Sequence, residues 1–309
     1  MKTPSHTQLP WIFRMIRPML LLGGILVFGL GSGIARYLGA GIDWVIFILG
    51  LAWVIVMQLA TFLLVEYYHS QYSFNQSRRN DPIRNPVESE GKPSPRSILL
   101  AALTSLAVVA SLTVMILAEV KPGPSAIFIM ILGFLSGLFY STPLVKDGSS
   151  LETSGYGELL AAFIMGFLIP AFAFILQAGE LHRLLFMTTI PLVVICLATF
   201  IALETPSYAG DLKAGRCTLM VRMRWNSAMN LHNLLIFCAY LLVGLASLYG
   251  QPRFATLAAM FSLPVGMLQF WQIWRIGQGA RPNWTALRLN AIATFGLMAY
   301  LLTYSYWTH

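Results

Sequence analysis

Of 309 residues, 57% are hydrophobic and only 10% are charged, and the mean hydropathy is +0.70. A soluble globular domain carries about 25% charged residues, so this composition excludes a fold whose whole surface meets water and requires a large lipid-facing area. The formal net charge of +8 lies mostly in the loops between apolar stretches, which is the distribution expected of a membrane protein and not of one that binds nucleic acid.

The first apolar run, residues 18–35, follows a polar tail and the segment 11–17. It has no small-residue cleavage site, so it reads as a retained span and not as a removed signal peptide. Eight further runs follow at 44–66, 97–118, 125–140, 159–176, 184–203, 229–248, 255–274 and 286–307. Each approaches the roughly 20 residues a helix needs to cross the hydrocarbon core. The runs are continuous, without the short alternating segments of a membrane barrel, and helices satisfy their own backbone groups in lipid. The expected fold is an all-α integral membrane protein of about nine transmembrane helices forming one domain, residues 1–309. Pro170, Pro191 and Pro264 fall inside spans, where neighbouring helices compensate for a kink.

Placing the N-terminus in the cytoplasm puts sixteen Lys and Arg on that side and leaves Arg36, Lys121, Arg183 and Arg253 on the other. That asymmetry predicts a cell inner membrane protein with cytoplasmic N-terminus and odd span number. Cys196, Cys217 and Cys238 have no metal-ligand spacing and form no disulfide framework.

Three inner segments are long and polar: 69–96, 141–158 and 204–227. The first and third follow spans two and six, a spacing that suggests two helix groups contributing to one shared site; transporters also place sites between repeats. In the third segment Glu204 and Asp211 are seven residues apart, with Ser207 between, so on a continued helix they share one face. Their oxygens suit Mg²⁺, which often binds through substrate phosphates, and Lys213, Arg216 and Arg222 supply positive charge for those phosphates. The alternative is a solvated connector whose acids balance nearby bases. At the end of span two, Glu66, His69 and Ser73 fall at helical spacing beside Tyr67, Tyr68 and Tyr72. An acid at a span end faces water, a partner or an ion. The tyrosines are either an interfacial belt or aromatic faces that stabilise a cation in the site.

Four sequence features together resemble the intramembrane UbiA-type prenyltransferase superfamily over nearly the full length. They are Arg17-Pro18, the Tyr140-Ser141-Thr142-Pro143 turn, Gly155-Tyr156-Gly157-Glu158, and Asp211 with Gly215-Arg216 and Thr218-Leu219. The last is similar to the branch that prenylates dihydroxynaphthoate and related quinone precursors. The resemblance implies nine helices around a lipid-open cavity, and transfer of a prenyl group from an allylic diphosphate to an aromatic or other lipophilic acceptor. It implies Mg²⁺ as cofactor, with Glu66, Glu204 and Asp211 as metal ligands and Glu66 and Asp211 as the catalytic pair. Lys146, Lys213, Arg216, Tyr140, Tyr68 and Tyr72 are then the substrate-binding residues. The family's first motif, NDxxDxxxD, falls on Val65, Glu66, His69 and Ser73, and the acid pair of its second motif falls on Ser207 and Asp211. About half the usual acids are thus absent, with Asp81 and Glu88 in the first loop as alternative donors. A second reading follows from that loss: a catalytically silent relative that binds a quinone, pigment or lipid, or an accessory subunit with protein partners in a membrane complex. A transporter is a third, disfavoured because few ionisable residues lie within the spans.

Overall fold

The computed structural model describes residues 18–80, 94–120, 123–143, 151 and 154–309, with the side chains of 72–80 and 120 excepted. Among these residues nine helical segments are long and apolar enough to cross a membrane, as the hydropathy pattern predicts. Helices α1 (Pro18–Tyr37), α2 (Trp44–Asn80), α3 (Pro95–Val120) and α4 (Pro124–Ser141) supply the first four spans. The fifth is α5 (Gly157–Phe163) joined to α6 (Ile169–Ala178) through a π-helical turn. The sixth is α7 (Arg183–Glu204), continued by a 3-10 turn and short α8 (Tyr208–Lys213); α9 (Leu219–Met223) then leads into α10 (Trp225–Leu248), the seventh span. The eighth is split into α11 (Arg253–Met260) and α12 (Leu263–Gly277), and α13 (Trp284–Thr308) closes the bundle.

The prolines explain where these helices depart from regularity. A proline has no N–H to offer the carbonyl four residues back. Pro170 leaves the carbonyl of Gly166 without that donor, and the π-helical turn Ile164–Leu168 falls there. Pro264 stands in the same relation to Met260, the last residue of α11. Pro206 stands so to Ala202, and the backbone tightens into the 3-10 turn Thr205–Ser207. Pro191 is absorbed within the unbroken α7.

Spans five and six form the centre of the bundle, with 67% of their apolar windows buried, whereas span three, at 17%, lies on the periphery. Helix α1 packs against α6 and α13, α7 against α10 and α13, and α2 against α3 and α4. Apolar residues gain little from burial when the alternative is lipid, so close backbone approach and hydrogen bonds hold such helices together. Gly31 on α1 meets the backbone carbonyl of Pro170, and Gly166 meets the backbone of Val193. Trp307 Nε1 donates to the carbonyl of Gly29 at 2.8 Å, tying α13 to α1, and Trp53 Nε1 donates to Thr113 Oγ1 at 2.9 Å, tying α2 to α3.

Candidate active site

An apolar chamber enclosing about 770 Å³, its open mouth included, lies among α1, α2, α4 and the α5–α6 span. Trp53, Phe62, Phe172 and Phe200 supply aromatic wall, Gly133 and Gly137 leave room on the α4 side, and Gln58 and Thr61 are its polar members. Trp53 and Phe172 pack with ring centroids 4.9 Å apart. Gln58 reaches the carbonyl of Leu20 at 3.4 Å, and Thr61 Oγ1 donates back to Met57 at 2.9 Å. Tyr140, expected at the substrate, does line this chamber, near the end of α4. Tyr68 is not among the lining residues; it packs edge-on against Tyr67 at 5.2 Å.

The third polar segment is a built structure and not a slack connector. Asp211 on α8 is buried and pairs with the exposed Arg216 at 3.5 Å. The turn between them places Gly215 at φ +68°, a left-handed conformation that glycine adopts without strain. Thr218 caps α9 by accepting from Val221 N at 3.4 Å. Glu158, buried at the start of α5, accepts the backbone N–H of Leu219 at 3.0 Å. Gly155, at φ +78°, lies so close to Cys217 that an added Cβ would stand 2.8 Å from its carbonyl oxygen. Arg222 donates to the Ser154 carbonyl at 3.3 Å and covers the Tyr156 ring at 4.4 Å. Two sequence motifs, 155–158 and 215–219, are therefore halves of one docked unit. Glu158 is the residue whose role the sequence reading missed. Its signal was an acid in the first turn of an apolar span, where it must find a donor.

The expected ligand set does not gather into one group among the described residues. Among the described residues, no three His, Cys, Asp or Glu side chains gather into a group able to hold a metal ion, so the expectation that Glu66, Glu204 and Asp211 share one Mg²⁺ is not met there. The physical reason lies in the second motif. Asp211 faces its own loop's Arg216, and the 3-10 turn after Glu204 replaces the continued helix that the seven-residue spacing assumed. Glu66 is half-buried near the end of span two. Mg²⁺ requires several hard oxygen donors in near-octahedral order, and the described residues alone do not gather them. Lys213 and Arg216 are exposed on the polar side. Lys146, Asp81 and Glu88 lie outside the described residues, as does the side chain of Tyr72.

Fold and site together define a polytopic helical membrane protein with an aromatic-walled chamber and a structured polar segment carrying charge. The family model for UbiA prenyltransferases matches residues 25–292, and the chain belongs to that family. A UbiA homologue from Archaeoglobus fulgidus superposes with a TM-score of 0.66 at 15% identity, covering 96% of this chain and 98% of that one. The same homologue bound to GPP and Mg²⁺ gives 0.65 at 16% identity, covering 96% and 99%. A digeranylgeranylglyceryl phosphate synthase gives 0.63 at 14%, covering 96% and 98%. A search of curated proteins finds no match to the sequence.

Proposed function

We propose that this protein is a membrane-embedded prenyltransferase that moves an isoprenoid chain from an allylic diphosphate to an aromatic or quinone-type lipophilic acceptor. The observation that carries the reading is the aromatic-walled apolar chamber in a chain of this family. Arg216 and Lys213, with Lys146, draw the departing diphosphate by charge, and Asp211 fixes the Arg216 guanidinium against its loop. Electrostatic stabilisation of charge as it develops is the main catalytic device such a site offers. The faces of Trp53, Phe62 and Tyr140 favour an allylic cation, and a greasy, water-poor chamber protects that cation from hydrolysis. The tail and the polar segments lie in the cytoplasm of a cell whose inner membrane holds the protein, following the excess of Lys and Arg on that side.

The test is transfer from geranyl diphosphate to dihydroxynaphthoate by the purified protein in lipid nanodiscs, with Mg²⁺ supplied. Asp211→Asn releases Arg216 and is expected to reduce turnover by about a hundred-fold, the scale of losing one preorganised electrostatic contact. Unchanged turnover refutes the assignment. A silent lipid-binding relative is the second reading, favoured by the lack of a metal-binding group among the described residues. It predicts a stoichiometric quinone, pigment or lipid in the purified protein and no transfer from any allylic diphosphate.

A further inference from the structure

Every Asp and Glu in the chain lies at or before Asp211, while eight Lys and Arg follow it. Asp211 pairs with Arg216, and the sequence beyond it supplies no acid for the remaining bases. Two of these bases, Arg275 and Arg281, line a cleft of about 870 Å³, its open mouth included, at the turn joining α12 to α13. Nine spans put this turn on the same side of the membrane as the ends of α2 and α7, yet the cleft shares no lining residue with the chamber.

The cleft offers donors. Gln272 in its wall accepts the amide N–H of Asn290 through Oε1 at 3.2 Å, which fixes the amide orientation and leaves Nε2 with its two N–H groups. Asn290 is itself held on the Val265 carbonyl at 3.5 Å. The acceptor oxygen of Asn283 is already used, capping α13 by taking Ala286 N at 3.1 Å, and the other N–H groups of that first turn have no intrahelical acceptor. The Arg275 guanidinium lies 5.1 Å from the centroid of the Trp271 ring, an arrangement that holds the cation over the aromatic face. Two guanidinium groups, amide N–H donors and a helix N-terminus, with no Asp or Glu among the described residues that line the cleft, select an anion.

An apolar track leads from the cleft toward the middle of the membrane. Met267, Leu268, Trp271 and Trp274 are large and exposed, and their spacing on α12 places them along one face. We propose that the α12–α13 cleft binds the phosphodiester headgroup of an anionic glycerophospholipid, whose acyl chains lie along this exposed face. The apolar track is what selects a lipid over a free phosphate, which would use the arginines alone.

Native mass spectrometry of the purified full chain, titrated with phosphatidylglycerol or phosphatidylcholine of identical acyl chains, tests the proposal. Phosphatidylglycerol is expected to bind at least about ten-fold more tightly, since a basic residue near an anionic headgroup contributes on the order of five-fold. The double variant Arg275→Gln/Arg281→Gln should lower phosphatidylglycerol affinity by about 25-fold on the same scale, with phosphatidylcholine unchanged. Both arginines are exposed, and an unaltered thermal transition of the variant confirms that folding is intact. Equal affinity for the two lipids, or wild-type affinity in the double variant, overturns the proposal. So does displacement of phosphatidylglycerol by excess inorganic phosphate, which identifies a free-anion site; retention of the lipid under that challenge supports it.

Discussion

Glu158 and Gly155 hold the 215–219 turn against the start of span five, each by a different kind of force. Glu158 supplies an acceptor for a backbone N–H that has left the membrane-spanning helices. Truncating it leaves the Leu219 donor buried without a partner, which costs about 1–3 kcal/mol. Glu158→Ala is therefore expected to lower the thermal transition and to open 204–224 to protease, with Glu158→Gln intermediate because it keeps an acceptor of the same shape. Gly155→Ala acts through the backbone. The φ of +78° and the 2.8 Å approach to the Cys217 carbonyl both oppose a side chain, and the left-handed conformation alone costs roughly 1–2 kcal/mol. Both substitutions undock the same turn, so the double variant should fall short of the sum of the singles; a full sum would show the two contacts to be independent. Both motifs were legible in the sequence as separate features. Their docking was not, because a contact between residues about sixty apart follows from helix packing and leaves no local spacing to read.

At the level of whole elements, hydropathy marks all nine spans because crossing lipid is a demand on every residue of the segment. Register is a different matter. The pairing of Glu204 with Asp211 on one face assumed a helix uninterrupted by Pro206, and the missing N–H at that proline lets the backbone tighten instead. Likewise, glycine's value at helix crossings is invisible until the partner helix is known. Gly31 would place a Cβ directly against the Pro170 carbonyl oxygen, and that atom is backbone and cannot move aside cheaply. Gly31→Val is expected to separate α1 from α6 and reduce folded, monodisperse protein in detergent severely. Gly296 on α13 has nothing within 4 Å of an added Cβ, so Gly296→Ala should match the parent or gain slightly, as alanine is favoured by up to about 1 kcal/mol in a helix. Size-exclusion profiles and thermal transitions of the two variants decide this; a Gly31→Val protein as stable as the Gly296→Ala one would remove the crossing from the account of what holds the bundle together.

For the molecule as a whole, the proposed transferase function makes the chamber the limit on how much isoprenoid can be held, and Gly133 is a position where an added Cβ meets no backbone. A Cβ there meets only Trp53, at 3.5 Å, which is ordinary contact. A leucine at this chamber-lining position, beside Trp53 and Ile129, is expected to remove room comparable to one isoprene unit. Loss of a few methylenes of complementary space is worth about 1–3 kcal/mol, or ten-fold and more, in discrimination between chain lengths. Gly133→Leu should therefore shift preference from geranylgeranyl toward geranyl diphosphate by about ten-fold, measured as the ratio of kcat/KM for the two donors in competition. A silent lipid-binding protein would show the same shift as a shortening of the lipid it retains through purification. A variant with unaltered chain-length preference and normal stability would mean that the isoprenoid lies elsewhere, and the aromatic chamber would no longer support the transferase reading.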